Sequence, residues 1–126
     1  MRFCGEIVKR VLVVEDSIDL SGILAQYLRR CPFEVEILHD GQHLMARLKD
    51  KERPPDAVVL DLMIPEPSGY EILNPLKVLW PGTKIFIFSA YHQARQSIPA
   101  EMIEGFFLKT DGIDKLLGAV REKLSA

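Results

Sequence analysis

Long apolar runs are missing from this 126-residue chain: the most continuous, Val11 to Val14 and Ala57 to Leu60, are far short of the ~20 residues a membrane span needs. Membrane crossing is therefore not expected. Cysteine is scarce. Cys4 and Cys31 lack the close spacing of a zinc or redox pair, and no signal-peptide stretch follows Met1, which together predict a reducing cytoplasm. An excess of positive charge is also lacking: 16 Lys and Arg face 18 Asp and Glu, a formal net charge of -2. Binding along a phosphate backbone demands the opposite balance, so no direct nucleic-acid contact is expected. With no internal repeat, low-complexity tract or linker, residues 1–126 read as one domain, its structured core spanning about 6–125 and no second domain expected within the chain.

What is present is enough apolar material for a core. At 48% hydrophobic residues, a chain of this size can bury roughly two-thirds of the surface its unfolded form exposes, without metal or disulfide staples. Short β-branched and aromatic runs alternate with stretches whose apolar residues recur every three or four positions, the pattern of a parallel α/β fold. The predicted strands are Val8–Val14, Phe33–Leu38, Ala57–Leu60, Lys84–Phe88 and Gly105–Leu108. Ala57–Leu60 has no polar alternation, as expected of a central strand covered on both faces.

The first predicted helix buries Leu20, Ile23, Leu24, Tyr27 and Leu28, and the second, Gln42–Lys51, is capped by Asp40. The third carries Ile72, Leu73, Leu76, Leu79 and Trp80, with Pro75 predicting a late start or a kink. Pro99 makes the segment Tyr91–Glu104 a short or irregular helix. The last helix buries Ile113, Leu116, Leu117, Val120 and Leu124, with Thr110 or Asp111 as its cap.

Ligands of open parallel sheets bind beyond the carboxyl ends of the strands. Four of the five strands here end in polar groups: Glu15 and Asp16, Asp61, Ser89, and Lys109. Three carboxylates gathered at one edge repel one another and call for positive charge. Lys109 supplies one unit, and the hard oxygen ligands suit a divalent ion such as Mg²⁺, whose remaining coordination positions can take phosphate oxygens. The group best placed to attack phosphorus is then the Asp61 carboxylate, giving an acyl phosphate.

These residues carry a resemblance. Val11-Leu-Val-Val-Glu-Asp16, Val58-Val-Leu-Asp-Leu-Met-Ile-Pro-Glu-Pro-Ser-Gly69, Ile85-Phe-Ile-Phe-Ser-Ala90 and Phe106-Phe-Leu-Lys109 are similar to the strand-end motifs of the receiver domain of two-component response regulators, over essentially the whole chain. The resemblance implies a flavodoxin-like, doubly wound (βα)5 fold with a five-stranded parallel sheet in the order 2-1-3-4-5. It implies that Asp61 accepts a phosphoryl group from a phosphohistidine of a sensor histidine kinase or histidine phosphotransfer domain. Mg²⁺ would be held by Asp16, Asp61 and the Met63 backbone carbonyl, with Glu15 acting through water. Lys109 would pair with the acyl phosphate, Ser89 would move toward it, and Phe106 would change rotamer to fill the space Ser89 leaves. The fourth helix, fifth strand and fifth helix would face a downstream protein or output domain, or a second copy in a homodimer.

The chain departs from the family pattern in three places. Thr110 follows Lys109 where a proline is usual, the Ser89 to Lys109 interval is short and contains Pro99, and Phe106 has no hydroxyl. Met63 and Tyr91, two positions beyond Asp61 and Ser89, are expected to set the lifetime of the phosphorylated form by excluding water. An aspartyl-phosphate phosphohydrolase would need a second aspartate where Met63 stands, and a flavodoxin-like cofactor carrier would not place Glu15 and Asp16 against a phosphate. A receiver that is never phosphorylated is the remaining alternative.

Overall fold

A computed structural model describes residues 8–125. The expected strand-and-helix alternation is present as β1 (Arg10–Val14), α1 (Ile18–Arg29), β2 (Glu34–Leu38), α2 (Gly41–Lys49), β3 (Ala57–Leu60), α3 (Gly69–Leu79), β4 (Lys84–Ser89), β5 (Gly105–Leu108) and α4 (Asp114–Leu124). All strand pairings are parallel, in the order β2-β1-β3-β4-β5. The first strand starts two residues later than predicted, and Cys4, Glu6 and Ile7 lie outside the described residues.

Alternating side chains divide the sheet into two apolar faces. Leu12, Val14, Val58, Leu60, Ile85, Ile87 and Phe106 point to the side covered by α2 and α3, where Leu44, Leu48, Ile72, Leu76 and Trp80 meet them. Val11, Val13, Ala57, Val59, Phe86 and Phe88 point to the other side, covered by Leu24 and Leu28 of α1 and by Leu116, Val120 and Leu124 of α4. A buried Arg47 ties α2 to its neighbours: Nε donates to both Glu36 carboxylate oxygens at 3.1 and 3.2 Å, and the guanidinium lies over the Trp80 ring at 5.2 Å.

Three local expectations change, and the irregular connection between β4 and β5 takes a definite form. In α1 the buried stripe is Ser21, Leu24, Ala25 and Leu28, whereas Ile23 and Tyr27 lie on its solvent flank. At 100° per residue these two apolar side chains fall just outside the arc the sheet covers. α3 starts early rather than late, six residues before Pro75, because Ser68 and Glu71 form a reciprocal capping box: Glu71 N–H donates to Ser68 Oγ at 3.4 Å and Ser68 N–H to Glu71 Oε2 at 2.8 Å. Pro75 then lies within the second turn, where the missing N–H leaves one carbonyl unpaired.

Between β4 and β5 the expected short or irregular helix is two 3-10 turns, His92–Ser97 and Ala100–Met102. Only Ala94 and Ile98 are buried there, too narrow a stripe to hold a longer helix on the sheet. Finally, neither Thr110 nor Asp111 caps α4. They belong to a 3-10 turn, Lys109–Asp111, and Gly112 at φ 80° turns the chain into the helix.

The two faces make a graded stability test. Phe86, fully buried on the α1 and α4 side, should cost about 3–5 kcal/mol of unfolding free energy when replaced by alanine, measured by urea denaturation. Val78→Ala, at a side chain 76% exposed, should change it by less than about 0.5 kcal/mol.

Candidate functional site

Register places the chemistry. Val14 pairs with Leu60, so Glu15 and Asp61 each stand one residue past the same rung, and the Asp61 N–H donates to the Val14 carbonyl at 3.0 Å. Leu60 pairs with Ile87 and Ser89 with Leu108, which brings Ser89 and Lys109 to the same edge. Glu15, Asp16 and Asp61 each offer a carboxylate oxygen within 4.8 Å of the others. Glu15 and Asp61 are only 2% and 4% exposed, whereas Asp16 faces solvent.

Two buried carboxylates side by side need a counter-charge, and Lys109 provides it. Its Nζ donates to Asp61 Oδ2 at 2.8 Å and lies 2.7 Å from Glu15 Oε1. The second contact is as short as the first, so the one ammonium is shared between two buried carboxylates. Cis peptide bonds precede Pro32 and Pro67; the Lys109–Thr110 bond is not one of them, and the ammonium still reaches both acids. Burial pushes the Glu15 carboxyl above its ordinary range, opposed by the Lys109 ammonium and the Ser17 N–H and reinforced by Asp16 and Asp61. For Lys109, burial works against the charge, but the bonds to Asp61 and Glu15 outweigh it and raise the pKa above its ordinary value.

The loop after Asp61 is fixed by close backbone contacts. Met63 N–H donates to Asp61 Oδ1 at 3.0 Å, so both oxygens of that carboxylate are oriented. Gly69 N–H donates to the Leu62 carbonyl at 3.0 Å, and a Cβ there would sit 2.7 Å from the Asp61 carbonyl oxygen. On the other side Gly41 donates to the Pro65 carbonyl at 2.9 Å, and a Cβ would run into the Pro67 carbonyl. The role of Gly69 in closing this loop is not apparent from its motif; its signal in the sequence is the lack of a side chain at the return to the strand end.

Ser89 is fully buried, and its Oγ accepts the Tyr91 N–H at 3.1 Å. Its bonds are thus within its own loop, with Tyr91, and not with Asp61. Phe106 is buried on the same face of the sheet, packed in the cluster that holds Ile87, Ala94 and Ile98. Met63 and Tyr91 are each more than half exposed. Arg95, absent from the sequence reading, lies over the Phe106 ring at 5.5 Å and donates from Nη2 to the Phe106 carbonyl at 3.2 Å. Nothing in the residue order announces this contact, since it depends on how the turn between β4 and β5 folds back.

The acid–ammonium cluster sets two pH responses. Because the folded-state pKa of Lys109 is raised, the stabilisation from its ion pairs is fully present below the ordinary value near 10.5 and is lost as pH rises through the folded-state value. Alkaline urea denaturation should show this loss in the wild-type protein and a smaller one in Lys109→Met. In the same variant, carboxyl-detected NMR should find the Glu15 titration moved further upward, because the ammonium that opposed its burial is gone.

Comparison with known proteins agrees with this arrangement. The pattern of the response regulator receiver domain matches residues 11–121. A protein-glutamate methylesterase/protein-glutamine glutaminase of Agrobacterium fabrum is 35% identical over 99 residues, covering 78% of this chain and 28% of that protein. The transcriptional regulatory protein TrcR of Mycobacterium tuberculosis is 40% identical over 68 residues, covering 54% of this chain and 26% of that protein. The chain thus spans about a quarter of the length of these two relatives. Among solved structures, the response regulator TrrA of Thermotoga maritima, in complex with Mg²⁺ and BeF, superposes with a TM-score of 0.81 at 25% identity, covering 93% of this chain and all of that one. A CheY-like receiver domain protein of Methanospirillum hungatei has the same fold, with a TM-score of 0.83 at 24% identity and 94% of each chain covered. The chain belongs to the response regulator receiver domain family of two-component signalling.

Proposed function

We propose that this domain is a phosphorylation-dependent switch that takes a phosphoryl group from a phosphohistidine onto Asp61. The observation that carries the reading is the Asp61 carboxylate itself: buried, oriented through both oxygens, and gathered with two further acids and one ammonium at the carboxyl edge of the sheet. An Asp61 oxygen attacks phosphorus while the bond from phosphorus to the histidine nitrogen breaks, leaving an acyl phosphate and a neutral imidazole. Catalysis of this step is positioning plus neutralisation of charge on the phosphoryl oxygens, so the domain promotes its own phosphorylation without a separate active site.

The residues present fit a hard divalent cation such as Mg²⁺: three carboxylates offer oxygens within 4.8 Å of one another, two of them buried, against a single ammonium. Asp16, Asp61 and the Met63 carbonyl would hold it, with Glu15 acting through water. When bound, it supplies positive charge to the phosphoryl oxygens. Lys109 then pairs with the phosphoryl group in place of its present contact with Asp61 Oδ2, and the Ser89 hydroxyl gives up the Tyr91 N–H to donate to a phosphoryl oxygen. That rotation empties space on the face Ser89 shares with Phe106, and the ring follows.

On this reading the donor is a sensor histidine kinase or a histidine phosphotransfer domain, in the cytoplasm. The surface that changes lies over the 3-10 turns, β5 and α4, facing an output domain, a separate protein or a second copy of the chain. Among the described residues no helix is long and apolar enough to cross a membrane. Some relatives are named DNA-binding response regulators. For this domain we retain protein partners and no direct nucleic-acid contact, because its net charge is -2.

Incubation with acetyl phosphate and Mg²⁺ should add one phosphoryl group by intact mass, and Asp61→Asn should abolish the gain; an unmodified wild-type protein would refute the reading. Met63 and Tyr91 restrict water at the acyl phosphate. Phosphate release should accordingly be faster in Met63→Asn, by up to about tenfold if the side chain holds back about 1.4 kcal/mol of the hydrolysis barrier, and an equal or slower rate would remove that role.

A further inference from the structure

The loop that follows Asp61 is caught between two helices. Gly69, which opens α3, donates its N–H to the Leu62 carbonyl at 3.0 Å, and Gly41, which opens α2, donates to the Pro65 carbonyl at 2.9 Å. Only Met63 and Ile64 lie between these two tied carbonyls, and Leu62 and Ile64 are buried in the cluster that holds Leu44 of α2. The Met63 carbonyl, the one backbone group in the proposed cation site, therefore belongs to a short span whose ends are set by the first turns of two helices.

We propose that Gly41 is a positioning residue for that site: the bare backbone at the start of α2 lets the loop come close enough for the Met63 carbonyl to share an ion with Asp16 and Asp61. The proposal rests on the reading of the acid cluster as a Mg²⁺ site and adds to it a residue that touches no ion. Conformation does not explain the glycine. Its φ is not positive, unlike that of Gly112, so other residues could adopt this backbone, and most of them favour a helix more than glycine does. Space does explain it. A Cβ would collide with the Pro67 carbonyl oxygen and stand 2.6 Å from the Pro67 nitrogen, backbone atoms that no rotamer change can clear.

Relief would require movement of the loop or of α2. The helix is the firmer body: Asp40 caps it by accepting the His43 N–H at 2.8 Å, and Leu44 and Leu48 are buried beneath it. The loop is exposed at Pro65 and Glu66, and the rings of Pro65 and Pro67 fix φ on either side, so a displacement at Pro67 is passed toward Met63. Mg²⁺ tolerates such a displacement poorly, because it demands octahedral oxygens at about 2.0–2.1 Å; Ca²⁺ accepts about six to eight oxygens over roughly 2.3–2.6 Å. A side chain at position 41 thus discriminates between the two ions, which a loss of stability by itself does not.

The test titrates the whole chain with Mg²⁺ alone and with Ca²⁺ alone, following the Asp61 and Met63 amide signals by NMR. Gly41→Ala should weaken Mg²⁺ binding by roughly tenfold and Ca²⁺ binding by less than about threefold. Gly82→Ala, at a glycine with open space around it, should leave both unchanged. Should Gly41→Ala not fold, two Asp40 variants decide. Asp40→Ala keeps the glycine but removes the cap that fixes the first turn of α2, and Asp40→Asn keeps a cap oxygen while removing the same charge. Mg²⁺ should then bind Asp40→Ala roughly threefold more weakly than Asp40→Asn. An unchanged preference between the two ions in folded Gly41→Ala or, failing that variant, equal Mg²⁺ affinities in the Asp40 pair would overturn the role of Gly41 while leaving wild-type ion binding and phosphorylation intact. A wild-type protein that binds neither ion would instead refute the cation reading, and this role with it.

Discussion

One ammonium group makes the edge of this sheet possible. Glu15 and Asp61 are drawn almost completely out of water by the ends of two neighbouring strands, where their charges would repel each other at short range. Lys109, one residue past the end of the edge strand β5, lies within 2.8 Å of both. Parallel pairing decides which strand ends are neighbours, and the β4 and β5 rungs decide how far past the edge the lysine stands. The fold and the site are thus one problem: shifting β5 by one residue would turn Lys109 to the opposite face and leave two buried acids without a partner.

The strands and the acids at their ends were legible because both depend on local order. A run such as Ala57–Leu60, apolar at every position, has few alternatives to a buried central strand, and the polar residue that follows marks the sheet's rim. Helix boundaries were less legible. Pro75 argued for a late start of α3, but the Ser68–Glu71 capping box outweighs it by pairing N–H groups at the first turn. In α1, Ile23 and Tyr27 looked buried by spacing alone; which arc of a helix is covered depends on where the sheet ends, and a single sequence does not state it. Part of the uncovered arc is taken up by Arg30, whose guanidinium lies over the Tyr27 ring at 5.1 Å.

Least legible was the connection from β4 to β5. Pro99 and the poverty of apolar residues predicted something irregular there, and two 3-10 turns are what the chain forms. The contacts made by that irregular backbone follow from tertiary packing, so Arg95 carried no sequence signal distinguishing it from the other dispersed basic residues. Gly69 is a milder case. A glycine closing a loop is unsurprising, but the reason for it, a backbone passing within 2.7 Å of where its Cβ would be, exists only in three dimensions.

Building this connection from 3-10 turns has a thermodynamic corollary. Such turns have poorer hydrogen-bond geometry than an α-helix and little cooperativity along their length, so they open in pieces at small free-energy expense. The flanking strands are held by ladder hydrogen bonds, β4 on both sides and the edge strand β5 on one. A sharp gradient of local stability therefore runs between the rigid ladder and the short segment laid over it, and amide exchange along residues 91–104 belongs to its soft end. Softness confined to one crossover lets a covalent change at the rim rearrange the surface without loosening the sheet beneath.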